Sequence, residues 1–562
     1  MLALTFLTYA STLPFAWVYD DPAQIPNNPD LAWGRLGFLF SHQLWASLPG
    51  TDPRFYRPVL SLWFLLNKMI FGLRAGGFHF TTVLAHVAAT ALVFLLARRL
   101  VGSSSAGLFV AAVFGLHPLH AETASWISDV DDSLAAIFCL GAFLSYLNAR
   151  ENPRRARLWW TTSFACYALG LLTKEIAVVL PAIILLDAWL RRLPGRGRAL
   201  AVAGISYGAL TLAYVAIRSA VLGAWVRPQQ QVSALAAVLS APRLAVFYGA
   251  RFVLPVGLSA HYDPVEVTSP GSWQFCAPLA AVLIVIALIV LAWRHLRNAA
   301  QVPAPLSLHG RLLIALAWVF IPLLPALNLA LLVQQDPLHD RYAYLSIFGA
   351  ALLVAQLWAA WDGRLRWLPL ARPAIAACVA AMAFAAALQS QYWANDSVLF
   401  HRAVAVAPRN PWAHWNYGAA LNARGRYEEA LPEFARSYEL APDFRTAAYA
   451  GFAAGQLERW PEAAGWYAKS IQLNPGNAEA WFELGHIGIA QHRPGDAILY
   501  LRRSIELAPA AAGYHYDLAR ALELSGDAAG AAGQYRAEVA LHPEQEAAQQ
   551  ALRRLAGSPP GQ

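Results

Sequence analysis

Four groups of polar residues interrupt a sequence that is otherwise apolar, and their types and spacing could do chemistry. Asp20 and Asp21 form a carboxylate pair at the end of the first apolar run. A carboxylate placed there can take a proton from a hydroxyl nucleophile or ligate a metal, and the same pair at an interfacial helix end is also easy to hydrate. The stretch FGLHPLHAETASWISDVDDSLA gathers His117, His120 and Glu122 with Asp129, Asp131 and Asp132. Such a set could offer a divalent metal its ligands. Its spacing matches no standard zinc signature, and Pro118 breaks helical pairing, so a hydrogen-bonded network supporting a cavity is the favoured reading. Lys174 and Glu175 sit between two apolar runs, where an ammonium can serve as a point charge for phosphate or simply pair with its neighbour. Arg341, with Asp340, Tyr342 and Tyr344 beside it, can hold a phosphate through two parallel hydrogen bonds or act as ordinary interfacial anchoring.

The elements that must position these groups are membrane helices. Of 562 residues, 58% are apolar and 14% charged, against about 25% charged in soluble domains. This balance excludes a disordered chain, a disulfide-rich secreted module and a nucleic-acid binder, despite a net charge of +8. The four cysteines form no paired framework. Only three lysines, Lys68, Lys174 and Lys469, stand among 42 basic residues, which makes a lysine in an apolar setting informative.

Apolar runs predict eleven spans, near 1–18, 78–97, 104–118, 133–148, 158–173, 176–190, 200–220, 273–293, 311–327, 343–361 and 373–391. The region 233–257, broken by Pro242, Arg243, Arg251 and Pro255, reads as interfacial or re-entrant. Arginines in short loops, from Arg98 and Arg99 to Arg364, Arg366 and Arg372, fall on one side of this arrangement, which is then cytoplasmic. The N-terminus lies inside, and all four polar groups lie outside with the C-terminal part. The first run lacks a basic start and continues into acidic residues, so it reads as a span rather than a signal peptide. The preference for arginine points to a GC-rich bacterial source, hence an inner-membrane protein with a periplasmic or extracellular outer face.

Composition changes near residue 392. Over 393–556 there are 18 acidic and 15 basic residues, net −3, leaving the membrane part with 27 basic and 16 acidic. Pro408, Pro442, Pro475, Pro509 and Pro543 recur every 33 or 34 residues, with Gly418, Gly485 and Ala519 in register. A 34-residue period with small residues where paired helices touch resembles the tetratricopeptide repeat. The chain is thus expected to be all-α: a polytopic bundle over 1–392 with a large outer loop at 19–77, a repeat solenoid over 393–556, and a tail at 557–562.

The motifs VYDDPAQIPNNPD, FYRPVLSLWFLLNKMIFGLRAGGFHFTTVLAH, GLHPLHAETASWIS, LLTKEIAVVLP and LPALNLALLVQQDPLHDRYAYLS occur in that order. As an ordered set they resemble the transmembrane and tetratricopeptide repeat-containing family, which belongs with the protein O-mannosyltransferases of the GT-C glycosyltransferase superfamily. The resemblance implies a polyprenyl- or dolichyl-phosphate monosaccharide donor and transfer to an acceptor hydroxyl on the extracytoplasmic face. Carried over by position, it assigns Asp20 and Asp21 to the acidic pair, and His117, His120, Glu122 and Asp132 to the histidine–glutamate motif. Lys174 and Glu175 form its lysine–glutamate pair, and Arg341, Tyr342 and Tyr344 its late arginine–tyrosine motif. The chain departs at Val130, where the family often has arginine, at Asp340 in place of Glu, and at Ser346 in place of Pro.

The mechanism that fits these residues uses one aspartate of the pair as base toward a Ser or Thr hydroxyl, Asp20 ahead of Asp21. Arg341, then Lys174, meets the phosphate that leaves. The repeats, with Trp412, Trp415, Tyr449, Trp481 and Tyr514 as lining candidates, would hold the acceptor protein. The expected partners are the lipid bilayer, a polyprenyl-phosphate sugar and an acceptor protein or peptide, without nucleic acid and with no certain cofactor. The competing readings are a repeat scaffold without catalysis, a flippase for lipid-linked sugars, and a ligase acting on a glycan.

Overall fold

The computed structural model describes residues 1–47, 55–191, 195–223, 232–296, 306–332, 337–361 and 368–557. All regular structure among them is helical, and the chain divides into two compact units, Met1–Arg402 and Ala403–Gln562.

In the first unit, eight helices are long and apolar enough to cross a membrane: Ala75–Val101, Ile127–Glu151, Arg196–Leu222, Ala234–Val253, Trp273–Leu291, Leu308–Leu327, Asp340–Ala360 and Pro373–Trp393. Ser104–Leu116 and Pro118–Ser125, bent by 50° at their junction, make a ninth if taken as one span. The other apolar runs form the helices Leu2–Tyr9, Ala156–Thr173 and Leu180–Leu190. The eleven expected spans thus become eight or nine among the described residues, since the runs at 1–18, 158–173 and 176–190 give helices that do not meet that length and apolarity, and the expectation for 233–257 changes too. The region read as interfacial holds the 20-residue helix Ala234–Val253, begun by Ser233, whose hydroxyl accepts from the Ala236 N–H. The Arg251 charge that argued against a span is sheltered by the rings of Phe247 and Tyr262, 3.5 and 4.6 Å from its guanidinium.

The loop that follows the first helices is held down by apolar packing. It carries the helix Pro58–Phe71, which opens with proline, the one residue that loses nothing at that position. Ile25, Leu31, Leu39, Leu44, Leu60, Phe64 and Leu65 pack with Phe78, Val130 and Leu134 of two long helices. Burying each such side chain contributes about 1.5–3 kcal/mol, enough to hold a polar loop against the helix ends.

The second unit is a stack of helix pairs: Pro411–Asn422 with Tyr427–Leu440, Phe444–Gln456 with Trp460–Leu473, Ala478–Ala490 with Pro494–Leu507, and Tyr514–Leu524 with Ala528–Leu541. Helix Glu546–Gly557 follows. The recurring prolines precede the helix starts, where Asn410, Asp443 and Asn477 accept from the first free N–H groups. Small residues recur because partner helices touch there: a Cβ on Gly451 would lie 3.0 Å from the Tyr467 ring.

Candidate active site

The carboxylates of the histidine–aspartate stretch are gathered by one lysine. Lys174 follows the helix Ala156–Thr173 in extended conformation, which frees its side chain to turn inward. Its Nζ lies 3.0 Å from Asp131, 2.6 Å from Asp132 and 3.4 Å from Asp129. Burial alone would lower the Lys174 pKa, but the three carboxylates outweigh it and hold the ammonium above its ordinary value. From Asp131 the network runs to Arg57, whose Nη1 donates at 2.7 Å, and from Arg57 to Glu175 at 2.8 Å. On the other side, Arg341 lies 3.5 Å from Asp129, and its Nη1 and backbone N–H both donate to Glu122. Asp340 accepts from Tyr262 Oη at 2.7 Å.

Asp129, Asp131 and Asp132 are the acidic group among the described residues whose oxygens come close enough to share a cation. Lys174 Nζ already stands among them, where a divalent ion would sit, so the donor set does not fit a metal. The two histidines do not join this network. His120 Nδ1 pairs with the Phe114 carbonyl at 2.7 Å, and His117 Nε2 with the Phe252 carbonyl at 3.3 Å. His120 satisfies the Phe114 carbonyl that Pro118, lacking an N–H, leaves open, and His117 meets a carbonyl in the last turn of Ala234–Val253. Tyr344 lies in the same buried layer, its hydroxyl 2.7 Å from His86 Nδ1 and 3.0 Å from Ser133 Oγ.

The acidic pair splits into two roles. Asp21 is fully buried, and its carboxylate accepts from the Val18 N–H (3.1 Å), the Ser128 N–H (2.8 Å) and the Ser128 hydroxyl (2.6 Å). Burial pushes its pKa up to about 7 against the lowering effect of those bonds. Asp21 therefore pins the turn to the residue just before Asp129. Asp20 is half-buried.

Tyr19, immediately before, has the left-handed backbone angle φ +56°, which costs a non-glycine residue roughly 1–2 kcal/mol. Its N–H donates to Asp396 at 2.8 Å, and its ring packs against Trp126, His261 and Phe400. Trp126 ties the two halves of the site together: Tyr19 lies 5.2 Å from its ring and the Arg341 guanidinium 5.1 Å. The Arg341 Nη2 carries no hydrogen bond among the described residues, and the side chain keeps 15% of its surface exposed. Tyr342 stacks beside it, its ring 5.4 Å from the guanidinium.

Of the residues singled out from sequence, Glu122, Asp132, Lys174, Glu175 and Arg341 are joined in one network, Asp21 bonds Ser128 just before it, Asp20 stands half-buried beside Asp21, and His117, His120 and Tyr344 make hydrogen bonds of their own. Sequence reasoning passed over Arg57, Ser128, Tyr262 and Asp396. Arg57 had a signal, a charge placed directly before the proline that starts an apolar helix. Val130, where arginine is common in the family, is fully buried in the apolar cluster that includes Leu31, Leu60 and Leu134. Arg57 supplies the guanidinium beside Asp131.

Residues 56–222 match the family described as dolichyl-phosphate-mannose-protein mannosyltransferase, and 399–443, 450–512 and 489–546 match the tetratricopeptide repeat. The chain is 24% identical over 476 residues to protein O-mannosyl-transferase TMTC4 of Homo sapiens, covering 76% of this chain and 64% of that one. It is 25% identical over 474 residues to TMTC3 of Mus musculus, covering 77% and 50%, and 34% identical over 179 residues to Tmtc1 of Drosophila melanogaster, covering 31% and 21%. It thus spans 64% or less of the length of these relatives. Among solved structures, YrrB, a tetratricopeptide repeat protein with an unusual peptide-binding site, matches 28% of this chain and 81% of its own at 16% identity and a TM-score of 0.27. The resemblance to the transmembrane and tetratricopeptide repeat-containing family is borne out by the family models and these relatives.

Proposed function

We propose that the membrane unit is a glycosyltransferase that moves mannose from a polyprenyl-phosphate donor to a Ser or Thr hydroxyl of a protein on the extracytoplasmic face. The observation that carries this reading is the convergence at Trp126 of the Tyr19–Asp21 turn and the Arg341 guanidinium. Tyr19, which precedes the acidic pair, and the anion-holding Arg341 both pack against one indole, an arrangement that suits a displacement at a sugar carbon. The relatives named as protein O-mannosyl-transferases supply the substrate class.

In this mechanism the Asp20 carboxylate takes the proton of the acceptor hydroxyl as its oxygen bonds to the sugar C1. The bond from C1 to the phosphate oxygen breaks, and polyprenyl phosphate departs with the bonding pair. One displacement inverts the anomeric centre. Arg341, oriented by Glu122 and Asp129, keeps Nη2 for the phosphate, where a fixed guanidinium meets charge as it develops. Lys174, held by three carboxylates, is a positioning residue. Asp21 is wholly buried against Val18 and Ser128, whereas Asp20 keeps part of its surface exposed to an incoming hydroxyl, which favours Asp20 as the base. No step needs a metal.

The test is transfer of radiolabelled mannose from polyprenyl-phosphate mannose to envelope proteins by the purified protein in detergent. Asp20→Asn should lose about 10²–10⁴-fold in transfer while keeping its helical content. Wild-type transfer that survives this substitution would remove Asp20 as base. An absence of transfer with mannose and glucose donors alike would defeat the glycosyltransferase reading.

A further inference from the structure

The repeats contain a cavity of about 290 Å³ between the helices Phe444–Gln456, Trp460–Leu473, Ala478–Ala490 and Tyr514–Leu524. This is near the lower end of small-molecule sites, room for one long side chain rather than a cofactor. Its walls are aromatic, from Phe452, Trp460, Tyr467 and Phe482, and two carboxylates enter it, Glu483 and Asp517. They differ in what surrounds them. Asp517 accepts from Arg520 at 2.9 Å and pairs with His486 Nδ1 at 3.3 Å, so its charge is met. Glu483 is half-buried and has no hydrogen bond or ion pair among the described residues, with His486 its nearby cation at longer range. Its pKa is raised, first by burial, so its charge is poorly solvated.

A partly desolvated carboxylate inside aromatic walls gains most from a cation. The cation completes the ion pair, and ring faces attract it further. The net charge of −3 over 393–556 adds long-range attraction for a basic partner. We propose that this cavity receives the lysine or arginine side chain of an extended protein segment, with Glu483 as its counter-ion and Trp460, Phe452 and Phe482 as its walls. This deepens the reading above, and rests on it only for the segment being an acceptor: the repeats would select Ser/Thr stretches that carry a basic residue.

The test measures binding alone, so it does not depend on transfer activity. The full-length protein in detergent is titrated, by calorimetry, with a blocked heptapeptide of serines and threonines around a central arginine. The same peptide with glutamine at the centre, and spermidine, serve as the other probes. The arginine peptide should bind about tenfold tighter than its glutamine analogue, with the preference falling as salt rises. Glu483→Gln should abolish the preference while leaving the weaker glutamine-peptide affinity and the helical content unchanged. Equal binding of the two peptides by wild-type protein would overturn the proposal, as would a preference that survives Glu483→Gln. Spermidine binding as tightly as the arginine peptide and depending equally on Glu483 would overturn the protein-segment ligand in favour of a small polycation.

Discussion

The two units use charge in opposite ways. In the membrane unit, Lys174, Arg57 and Arg341 are largely buried and bind five carboxylates, Glu122, Asp129, Asp131, Asp132 and Glu175, in one chain of contacts. In the repeats, pairs such as Arg426–Glu429, Arg436–Glu439 and Arg503–Glu506 sit three residues apart on exposed helix faces. The exposed pairs gain little, because water competes for both partners. The buried network gains orientation at a high desolvation cost, and removing one member leaves the others uncompensated. Charge of the second kind is retained where geometry matters, at the proposed site; charge of the first kind keeps a solenoid soluble.

The sharpest way to break this contrast is to remove one cation from each unit. Lys174→Ala should destabilise the membrane unit by about 3–5 kcal/mol and abolish transfer, because three aspartates then share no ammonium. Arg426→Ala should leave the unfolding of the repeats nearly unchanged, because water already competes for that pair. Thermal unfolding of both variants in the same detergent checks the pair, and similar losses in the two would mean that the network is not a unit.

The pH response should separate the units as well. The Asp21 carboxyl is pushed up to about 7 from an ordinary 3.8, so the folded state binds its proton more tightly than the unfolded chain does. Stability contributed by that proton is greatest at low pH and is lost as pH rises from about 4 to 7, by up to about 1.4 kcal/mol per pH unit. In Asp21→Asn this slope should disappear from the unfolding of the membrane unit and leave the repeats untouched. A Tm that keeps the wild-type pH dependence in the variant would show that Asp21 titrates normally.

Smaller effects are expected at Asp396, which stabilises the Tyr19 turn from the far end of the membrane unit. Asp396→Ala should lower kcat for transfer about tenfold by leaving the Tyr19 N–H without that acceptor. Asp396→Asn, which keeps a carbonyl oxygen there, should restore most of it. An unchanged kcat with a raised KM for the acceptor would assign Asp396 to acceptor binding instead.

How much of this was legible in the sequence also differs between the units. In the repeats, each turn of the period reports a contact made within about 35 residues, so prolines, caps and small residues mark every helix pair. The membrane helices were legible as apolar runs, and Glu122, Lys174 and Arg341 as residue types that are costly to keep there. Their pairing was not, because Arg57 meets Asp131 across 74 residues and Tyr19 meets Asp396 across 377. The histidines' partners were not legible either: Pro118 lacks the N–H that would bond the Phe114 carbonyl, and His120 takes that place. The motif marks Val130 only as a departure from arginine and does not show that its side chain joins the apolar core under the loop.

Left-handed backbone gives the finest comparison. Among the described residues, three that are not glycine have positive φ: Tyr19, Glu458 and His492. The last two occupy the turn inside a helix pair, where other repeats place Gly425 and Gly526. Their conformation serves only to reverse the chain, so glycine should do as well or better. His492→Gly relieves about 1 kcal/mol of steric cost and adds chain entropy to the unfolded state that offsets much of it. The expected change in stability is zero to about 0.5 kcal/mol in favour of the variant. Tyr19→Gly relieves the same steric cost but removes a ring that packs on Trp126, His261 and Phe400. Transfer should therefore fall in Tyr19→Gly while the repeats' Tm is unmoved. Should both glycine variants behave alike, the strain at Tyr19 would be a turn's geometry and nothing more.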